Sequence, residues 1–238
     1  QNSNIKIISL KGETKFLKNI TPTAEHTWAL ILSLIRKVPN AVESVKKFNW
    51  DRDNFIGTEL KGKILGIIGL GRIGTMVAKI GTAFGMHIKF YDINDIASED
   101  LDPNIIEATL EEVLFSSDIL SLHIPSSESN KNFLNKELLS KLKSSAYVIN
   151  TSRGDVIDEL FLLRMLEEKK ISGVALDVLS DENLNDKNWI KENALIKSAR
   201  SGNNLLITPH IGGACEESMK LTEDFISEKF YNLLNINK

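Results

Sequence analysis

The sequence predicts an α/β fold in which helices cover both faces of a doubly wound parallel sheet. Short apolar runs rich in Ile, Val and Leu alternate along the chain with stretches of helical pattern. Such runs are typical of strands buried on both faces, and their alternation with helices is typical of a parallel sheet. The predicted strands cover residues 5–10, 64–68, 88–91, 118–123, 146–150, 174–178 and 205–208.

Helices are predicted between these strands, over residues 72–84, 135–142, 158–169 and 189–200. An earlier helix has Thr21 as its predicted N-cap and Pro22 at its first position. Residues 28–35 of that helix read WALILSLI, which is apolar nearly all round and indicates burial on several sides. This pattern fits either a central core helix or a subunit interface.

The last predicted helix, over residues 214–235, is amphipathic. Met219, Ile226, Phe230 and Leu233 recur at helical spacing and form one apolar stripe, while the opposite face is charged. We therefore expect this helix to pack against another apolar surface.

Composition narrows the classes of partner and site. The chain has 238 residues and a net charge of −3, which argues against nucleic acid or an anionic membrane as its main partner. Its single Cys excludes a disulfide framework and a Cys-based metal cluster, so we predict no metal site and a reducing, cytoplasmic compartment. No run approaches ~18 consecutive apolar residues, so no membrane span is predicted.

A glycine-rich turn follows the strand predicted at residues 64–68. Residues 69–74 read GLGRIG, with glycines at Gly69, Gly71 and Gly74, and a predicted helix begins there. In this context the first glycine allows a tight turn, the second admits a pyrophosphate and the third allows close helix packing. The first helical amides, at Arg72 and Ile73, would face that anion, and the Arg72 side chain would add a charge contact.

An acidic residue is expected about 20 residues further on, where it binds a ribose 2′-hydroxyl. Asp92 occupies this position at the end of the next predicted strand, and Asp95 follows it. Two carboxylates would repel a 2′-phosphate, and no Arg or Lys stands beside them. The sequence therefore predicts a dinucleotide site that prefers NAD to NADP.

Three later segments lie at the carboxyl ends of predicted strands. They are NTSRGD at residues 150–155, ALDV at residues 175–178 with Glu182 beyond it, and TPHIGG at residues 208–213. Ligands of open α/β sheets bind beyond the carboxyl ends of the strands. We therefore expect Arg153, Glu182 and His210 to converge at the nicotinamide end of the cofactor.

With SLHIP at residues 121–125, these motifs run in an order that resembles the NAD-binding domain of the D-isomer-specific 2-hydroxyacid dehydrogenase family. The resemblance implies a Rossmann-type domain and hydride transfer between NAD(H) and a D-2-hydroxy acid or its 2-keto acid. Arg153 would then bind the substrate carboxylate, His210 would act as general acid and base, and Glu182 would be the partner of His210. Further cofactor contacts that the resemblance implies are His123, Pro125, Thr151, Ser152, Asp177, Gly212 and Gly213.

This sequence departs from the family pattern in two places. Asn183 follows Glu182 where family members often carry Pro, and Asp181 is a second carboxylate beside Glu182. Residues 126–129 read SSES where a Leu-Thr pair is common. His26 and His87 match no motif, and we interpret them either as structural or as residues that support the site without contacting the ligand.

The resemblance also predicts the domain organisation. Residues 1–212 would form the NAD-binding domain, and residues 213–238 would be the C-terminal helix of a substrate domain whose other part is expected before residue 1. We accordingly expect the 238-residue chain to bind NADH with little turnover, and the parent protein to be a homodimer through residues 28–35. The alternative is an NAD(H)-sensing scaffold or corepressor of the same fold, but the complete set of Arg153, Glu182 and His210 favours an enzyme.

Overall fold

A single parallel sheet organises the chain, and its strand order is β3-β2-β1-β4-β5-β6-β7. The computed structural model describes residues 7–96, 101–180, 182 and 188–235. The strands are β1 (Ile64–Ile68), β2 (His87–Tyr91), β3 (Ile105–Glu107), β4 (Ile119–Leu122), β5 (Tyr147–Asn150), β6 (Gly173–Leu176) and β7 (Leu205–Ile207). The chain winds outward from β1 to β3 and returns to β4 on the other side of β1. The order reverses between β1 and β4, which is where an open α/β sheet forms its ligand crevice.

Helices flank the sheet on both faces. They are α1 (Thr14–Leu17), α2 (Pro22–Ile35), α3 (Val38–Lys46), α4 (Arg72–Ala83), α5 (Leu110–Ser116), α6 (Lys136–Leu139), α7 (Glu159–Glu167), α8 (Trp189–Glu192), α9 (Ala194–Arg200) and α10 (Glu216–Asn235). The core cluster on one face contains residues of α2 and α4, and the cluster on the other contains residues of α5, α6, α7 and α9. The predicted doubly wound architecture is therefore confirmed.

The apolar helix α2 lies in the core of the chain. Trp28, Ile31 and Leu34 are buried, and the indole nitrogen of Trp28 donates to the carbonyl of Val77 on α4 at 3.2 Å. Pro22 occupies the first helical position as predicted, but the Thr21 side chain caps no backbone amide. Its hydroxyl instead donates to the Glu25 carboxylate at 2.5 Å. Of the two interpretations of this helix, the core interpretation is confirmed.

The strand predicted at residues 5–10 is wrong over its described part. Residues 7–10 form no strand, and the side chain of Ile7 is 86% exposed, whereas residues 5 and 6 lie outside the described part. A short apolar run becomes a strand only where a neighbouring strand completes its hydrogen bonds. This run instead leads into α1, where the Glu13 amide donates to the Leu10 carbonyl at 3.1 Å.

The helix predicted over residues 189–200 is two helices. Asn193 is extended (φ −63°, ψ 126°), so it ends α8, and its side chain accepts from the Ile196 amide to cap α9. The other predicted strands and helices match the structure, with shifts of one to three residues at some ends. Strand β3 and helices α1, α3 and α5 have no counterpart among the predicted elements.

Helix α10 lies outside both core clusters of the described residues. Its Phe225 ring stacks on Phe16, with centroids 4.0 Å apart, and Lys229 pairs with Glu13 and donates to the Ser9 carbonyl. Met219 and Phe230 of its apolar stripe are about half exposed. The described helices include none long and apolar enough to span a membrane.

Candidate active site

The glycine-rich turn connects β1 to α4 as predicted. Gly69 has a positive φ of 92°, and a Cβ atom there would lie 2.8 Å from the carbonyl oxygen of His123. A Cβ atom on Gly74 would lie 2.1 Å from the Gly69 carbonyl oxygen, so this glycine is required by the close packing of α4 on the turn. Gly71 has no atom within 4 Å of its Cβ position. The turn therefore presents an open backbone edge at the N-terminus of α4, which fits a pyrophosphate.

Asp92 lies directly after β2 and is linked to this turn. Its Oδ2 atom accepts from the Leu70 amide at 2.8 Å, and its Oδ1 atom accepts from the Asn94 amide at 2.9 Å. The carboxylate is half-buried, so it also remains accessible to solvent beyond the carboxyl end of β2. This position fits the predicted contact with a ribose hydroxyl.

Arg72 lies at the predicted place, and its side chain also has a structural role. The Nη1 atom donates to the carbonyls of Leu17 and Ile20, which precede α2. Burial lowers the pKa of Arg72, although the guanidinium stays charged. Ile73 packs against the core cluster that contains α2 and α4. The predicted contact of Arg72 with a pyrophosphate stays a prediction.

The turn after β4 contains His123 and Pro125. The His123 amide donates to the Ile68 carbonyl at 2.8 Å, and its Nε2 atom lies 2.9 Å from the Ser121 hydroxyl. Burial lowers the pKa of His123 to about 3, so its ring is neutral near pH 7. Pro125 is exposed at the rim, and its carbonyl accepts from the Asn130 side chain at 2.9 Å.

Asn150, the last residue of β5, shapes the turn that carries Arg153. Its Oδ1 atom accepts from the amide and the hydroxyl of Ser152, and its Nδ2 atom donates to the Arg153 carbonyl at 2.7 Å. Thr151 is buried, with its hydroxyl 2.8 Å from that of Thr27 on α2. The motif at residues 150–155 predicts no role for Asn150, although an Asn at the start of a turn is a signal that indicates one.

The Arg153 side chain is exposed at the carboxyl edge of the sheet. Its Nη1 atom donates to the Ser152 carbonyl at 2.6 Å, and it pairs with no carboxylate in the described part of the chain. The guanidinium therefore presents its remaining donors to solvent. A rigid fork of donors of this kind binds a carboxylate in a bidentate manner.

Asp177 follows β6 and holds the turn after β7. The carboxylate is only 2% exposed. Its Oδ1 atom accepts from the Thr208 hydroxyl at 2.6 Å and the Ile211 amide at 2.9 Å, and its Oδ2 atom accepts from the Gly212 amide at 2.7 Å. A Cβ atom on Gly212 would lie 2.8 Å from that Oδ2 atom, whereas Gly213 faces open space. Asp177 therefore determines the path of the chain through residues 208–213.

His210 and Glu182 form an ion-pair contact at this edge. The Nδ1 atom of His210 lies 2.7 Å from Oε2 of Glu182, while Oε1 of Glu182 accepts from the Leu179 amide at 2.8 Å. The carboxylate therefore orients the ring, and no hydrogen bond within the described residues engages its Nε2 atom, which can then exchange a proton with a ligand. Asp181 and Asn183, the neighbours at which the sequence departs from the family, lie outside the described residues.

No group of three or more His, Cys, Asp or Glu within the described ranges could hold a metal ion. The exposed residue His87 begins β2 and has no role at this edge. The structure thus places Arg153, Asp177 and His210 just beyond three adjacent strands, β5, β6 and β7.

Residues 28–212 match the model of the D-isomer specific 2-hydroxyacid dehydrogenase, NAD binding domain. The chain belongs to this family. Its cofactor is accordingly NAD, and the open glycine turn beside Asp92 fits that group.

The chain is also similar to individual dehydrogenases and reductases. The chain is 39% identical to the D-3-phosphoglycerate dehydrogenase of Bacillus subtilis over 213 residues, which is 89% of this chain and 38% of that protein. It is 34% identical to the glyoxylate reductase of Aeropyrum pernix, covering 82% of this chain and 58% of that one. The structure of D-lactate dehydrogenase from Aquifex aeolicus, complexed with NAD and lactic acid, matches with a TM-score of 0.80 and 34% identity, over 92% of this chain and 68% of that chain. The chain thus spans less than two thirds of the first two relatives.

Proposed function

We propose that the protein interconverts a D-2-hydroxy acid and its 2-keto acid with NAD(H). The observation that carries this proposal is the contact of 2.7 Å between His210 and Glu182, at the sheet edge where the exposed Arg153 guanidinium pairs with no carboxylate of the described residues. A general acid with an orienting carboxylate and a carboxylate-binding cation are what the reduction of a 2-keto acid requires of its enzyme.

Each of the three side chains has one role in this proposal. Arg153 binds the substrate carboxylate and thereby orients the keto group. His210 gives a proton from Nε2 to the keto oxygen in reduction and takes it back in oxidation. Glu182 accepts from Nδ1 of His210, which fixes the orientation of the ring. When bound, NAD(H) supplies the donor or acceptor of the hydride.

We propose that the site prefers NAD to NADP. Asp92 and Asp95 follow β2, and neither forms an ion pair with Lys or Arg in the described part of the chain. A 2′-phosphate would meet carboxylate charge there with no cation to offset it. Titration of the protein with NADH and NADPH, followed by nicotinamide fluorescence, is expected to give tighter binding of NADH.

The test of the reaction is kinetic and uses the full-length protein. The panel comprises D-3-phosphoglycerate and D-lactate in oxidation, and glyoxylate and hydroxypyruvate in reduction. His210→Ala is expected to lower kcat by about 10²–10⁴-fold and to leave NADH affinity unchanged. Arg153→Lys is expected to raise KM for the acid, because an ammonium cannot form the bidentate pair. Tight NADH binding by the wild-type protein with no turnover of any acid would favour the scaffold function instead.

We propose in addition that residues 213–235 belong to a second unit, as the substrate-domain assignment expects. In support, α10 lies outside both core clusters and contacts residues 9–16 through Phe225 and Lys229. Limited proteolysis is expected to cleave near residue 213 and to release the two parts without unfolding the sheet.

We also propose that the parent protein is a homodimer. Helix α2, which was predicted to mediate the contact, is largely buried within its own chain, so the surface must extend beyond it. The following segment supports this, because Val42 and Val45 of α3 are about half exposed and Phe48 and Trp50 almost fully so. Sedimentation at micromolar concentration is expected to give a dimer, and Trp50→Glu is expected to shift it toward the monomer.

A further inference from the structure

His26, on the first turns of α2, reaches the turn that carries His210. Its Nε2 atom lies 3.0 Å from the Thr208 hydroxyl and 3.2 Å from Oδ1 of Asp177. The ring is largely buried, and its Cδ2 atom lies 3.7 Å from the Cβ position of Gly212. A residue far from the motifs in sequence thus contacts the groups that hold the turn after β7.

The hydrogen-bond pattern fixes the direction of this contact. The Thr208 hydroxyl donates its proton to Oδ1 of Asp177 at 2.6 Å, and a carboxylate only accepts. Nε2 of His26 must therefore carry the hydrogen, which it shares between the Thr208 oxygen and Asp177. Among the described residues, His26 is the one basic side chain within ion-pair distance of the Asp177 carboxylate.

Asp177 in turn determines the backbone at His210. Its carbonyl accepts from the His210 amide at 2.9 Å, and its carboxylate accepts from the next two amides, of Ile211 and Gly212. His210 has a φ of 55°, a left-handed conformation that is uncommon for a residue with a side chain, and the bonds to Asp177 hold the backbone in it. The direction of the His210 ring thus depends on how firmly Asp177 is held.

We propose that His26 is a positioning residue of the proton-transfer site. By donating to Asp177 and Thr208, it holds the turn at residues 208–212 in the one conformation that directs His210 toward Glu182 and the substrate. His26 acts through Asp177 and touches neither substrate nor reacting atoms. This inference rests on the proposed function for its kinetic consequence, but its structural part can be tested without turnover.

Two substitutions of His26 distinguish the effect of losing its N–H donor from the effect of losing the volume of its ring. His26→Gln keeps an N–H group near the position of Nε2, whereas His26→Leu fills a similar space with no donor. His87→Leu is the matched control, because His87 is an exposed histidine with no role at the site. The assay is the reduction of the best 2-keto acid of the panel by the full-length protein, with NADH affinity measured by fluorescence.

His26→Leu is expected to lower kcat by about tenfold to a hundredfold, since a small misplacement of the acid costs this much, with KM changed by less than about threefold. His26→Gln is expected to restore kcat to within about threefold of the wild type, and His87→Leu to leave it unchanged. Equal losses in the Gln and Leu variants would overturn the proposal. A kcat of the Leu variant within about twofold of the wild type would also overturn it.

Amide hydrogen exchange decides the structural part even if the protein reduces no 2-keto acid. The Ile211 and Gly212 amides are expected to exchange at least about tenfold faster in His26→Leu than in the wild type, and those of β1 to exchange at the same rate in both. Unchanged exchange at Ile211 and Gly212 would overturn the proposal. Absence of turnover in the wild type would instead count against the proposed function alone.

Discussion

Gly154 and Leu179 are in direct backbone contact. A Cβ atom on Gly154 would lie 2.0 Å from the carbonyl carbon of Leu179 and 2.2 Å from the Ser180 amide nitrogen. Only hydrogen fits this gap, so the turn that carries Arg153 lies against the segment that leads to Glu182. The contact thus joins two segments of the candidate site, the turn that carries Arg153 and the segment that leads to Glu182, the partner of His210.

Gly154→Ala is expected to lower the free energy of unfolding by about 1–3 kcal/mol, because backbone on both sides must shift to admit the methyl group. The substitution is also expected to raise KM for the acid, since the shift moves Arg153. Urea unfolding measures the first effect and steady-state kinetics the second. Gly213→Ala is the control for stability, because its Cβ position faces open space, and an equal loss in both variants would contradict this account.

His123 is expected to make the stability of the fold depend on pH. Burial lowers its pKa from 6.5 to about 3, so below pH 6.5 the unfolded chain takes up a proton that the folded chain excludes. Stability from this group is therefore complete above pH 6.5 and is lost as the pH falls toward 3, by at most about 1.4 kcal/mol per pH unit. Urea unfolding from pH 7 to pH 4 measures the slope.

The matched variant is His123→Gln, whose amide does not titrate and still reaches the Ser121 hydroxyl. Its unfolding free energy is expected to fall less steeply between pH 6.5 and pH 4 than that of the wild type. Parallel curves for the two proteins would show that folding does not change the pKa of His123, which would contradict this account.

The sequence was most informative where a function or a strand is encoded by adjacent residues. The turn of Gly69, Gly71 and Gly74 can be predicted from the sequence because its glycines directly follow an apolar run. Helix α5 was missed although Thr109 and Glu112 form a capping box, in which each side chain accepts from the other residue's amide. That pattern is visible in the sequence, and it would have predicted where the helix begins.

Other parts of the site depend on contacts between distant segments. His26 approaches Asp177 only because α2 packs against β5, β6 and β7. Nothing in the local sequence of His26 distinguishes it from the surface residue His87. Strand β3 has three residues, so its apolar signal is too short to separate from a loop.

Asp118 is expected to stabilise the edge of the sheet opposite the site. It accepts from the Ile64 amide at 2.8 Å and pairs with Lys143 at 2.9 Å. Burial alone would raise the pKa of Asp118, but these two contacts outweigh it and hold the pKa below its usual value. Asp118→Ala leaves the amide without its acceptor and is expected to cost about 1–3 kcal/mol at pH 7.

The cost of Asp118→Ala is expected to become smaller in acid. Because the folded pKa is the lower one, the carboxylate stabilises the fold above its unfolded pKa near 4 and loses this effect as the pH falls through the folded value. Glu43→Ala is the control, since the pair of Glu43 with Lys46 is exposed and is expected to contribute little. A loss of stability in Asp118→Ala that is the same at pH 7 and pH 3 would contradict the ion-pair account.

The glycine turn offers a test that separates cofactor binding from folding. Gly71→Ala adds a methyl group where no atom lies within 4 Å, at an extended residue with φ −69°, so the unfolding temperature is expected to stay unchanged. That methyl group projects from the open backbone edge, so NADH affinity is expected to fall at least about tenfold, or 1.4 kcal/mol. Gly74→Ala places its methyl group 2.1 Å from the Gly69 carbonyl and is expected to lower both the affinity and the unfolding temperature. Thermal unfolding and NADH fluorescence measure the two quantities on the same samples. Unchanged NADH affinity in Gly71→Ala would mean that the pyrophosphate does not lie on this edge of the turn.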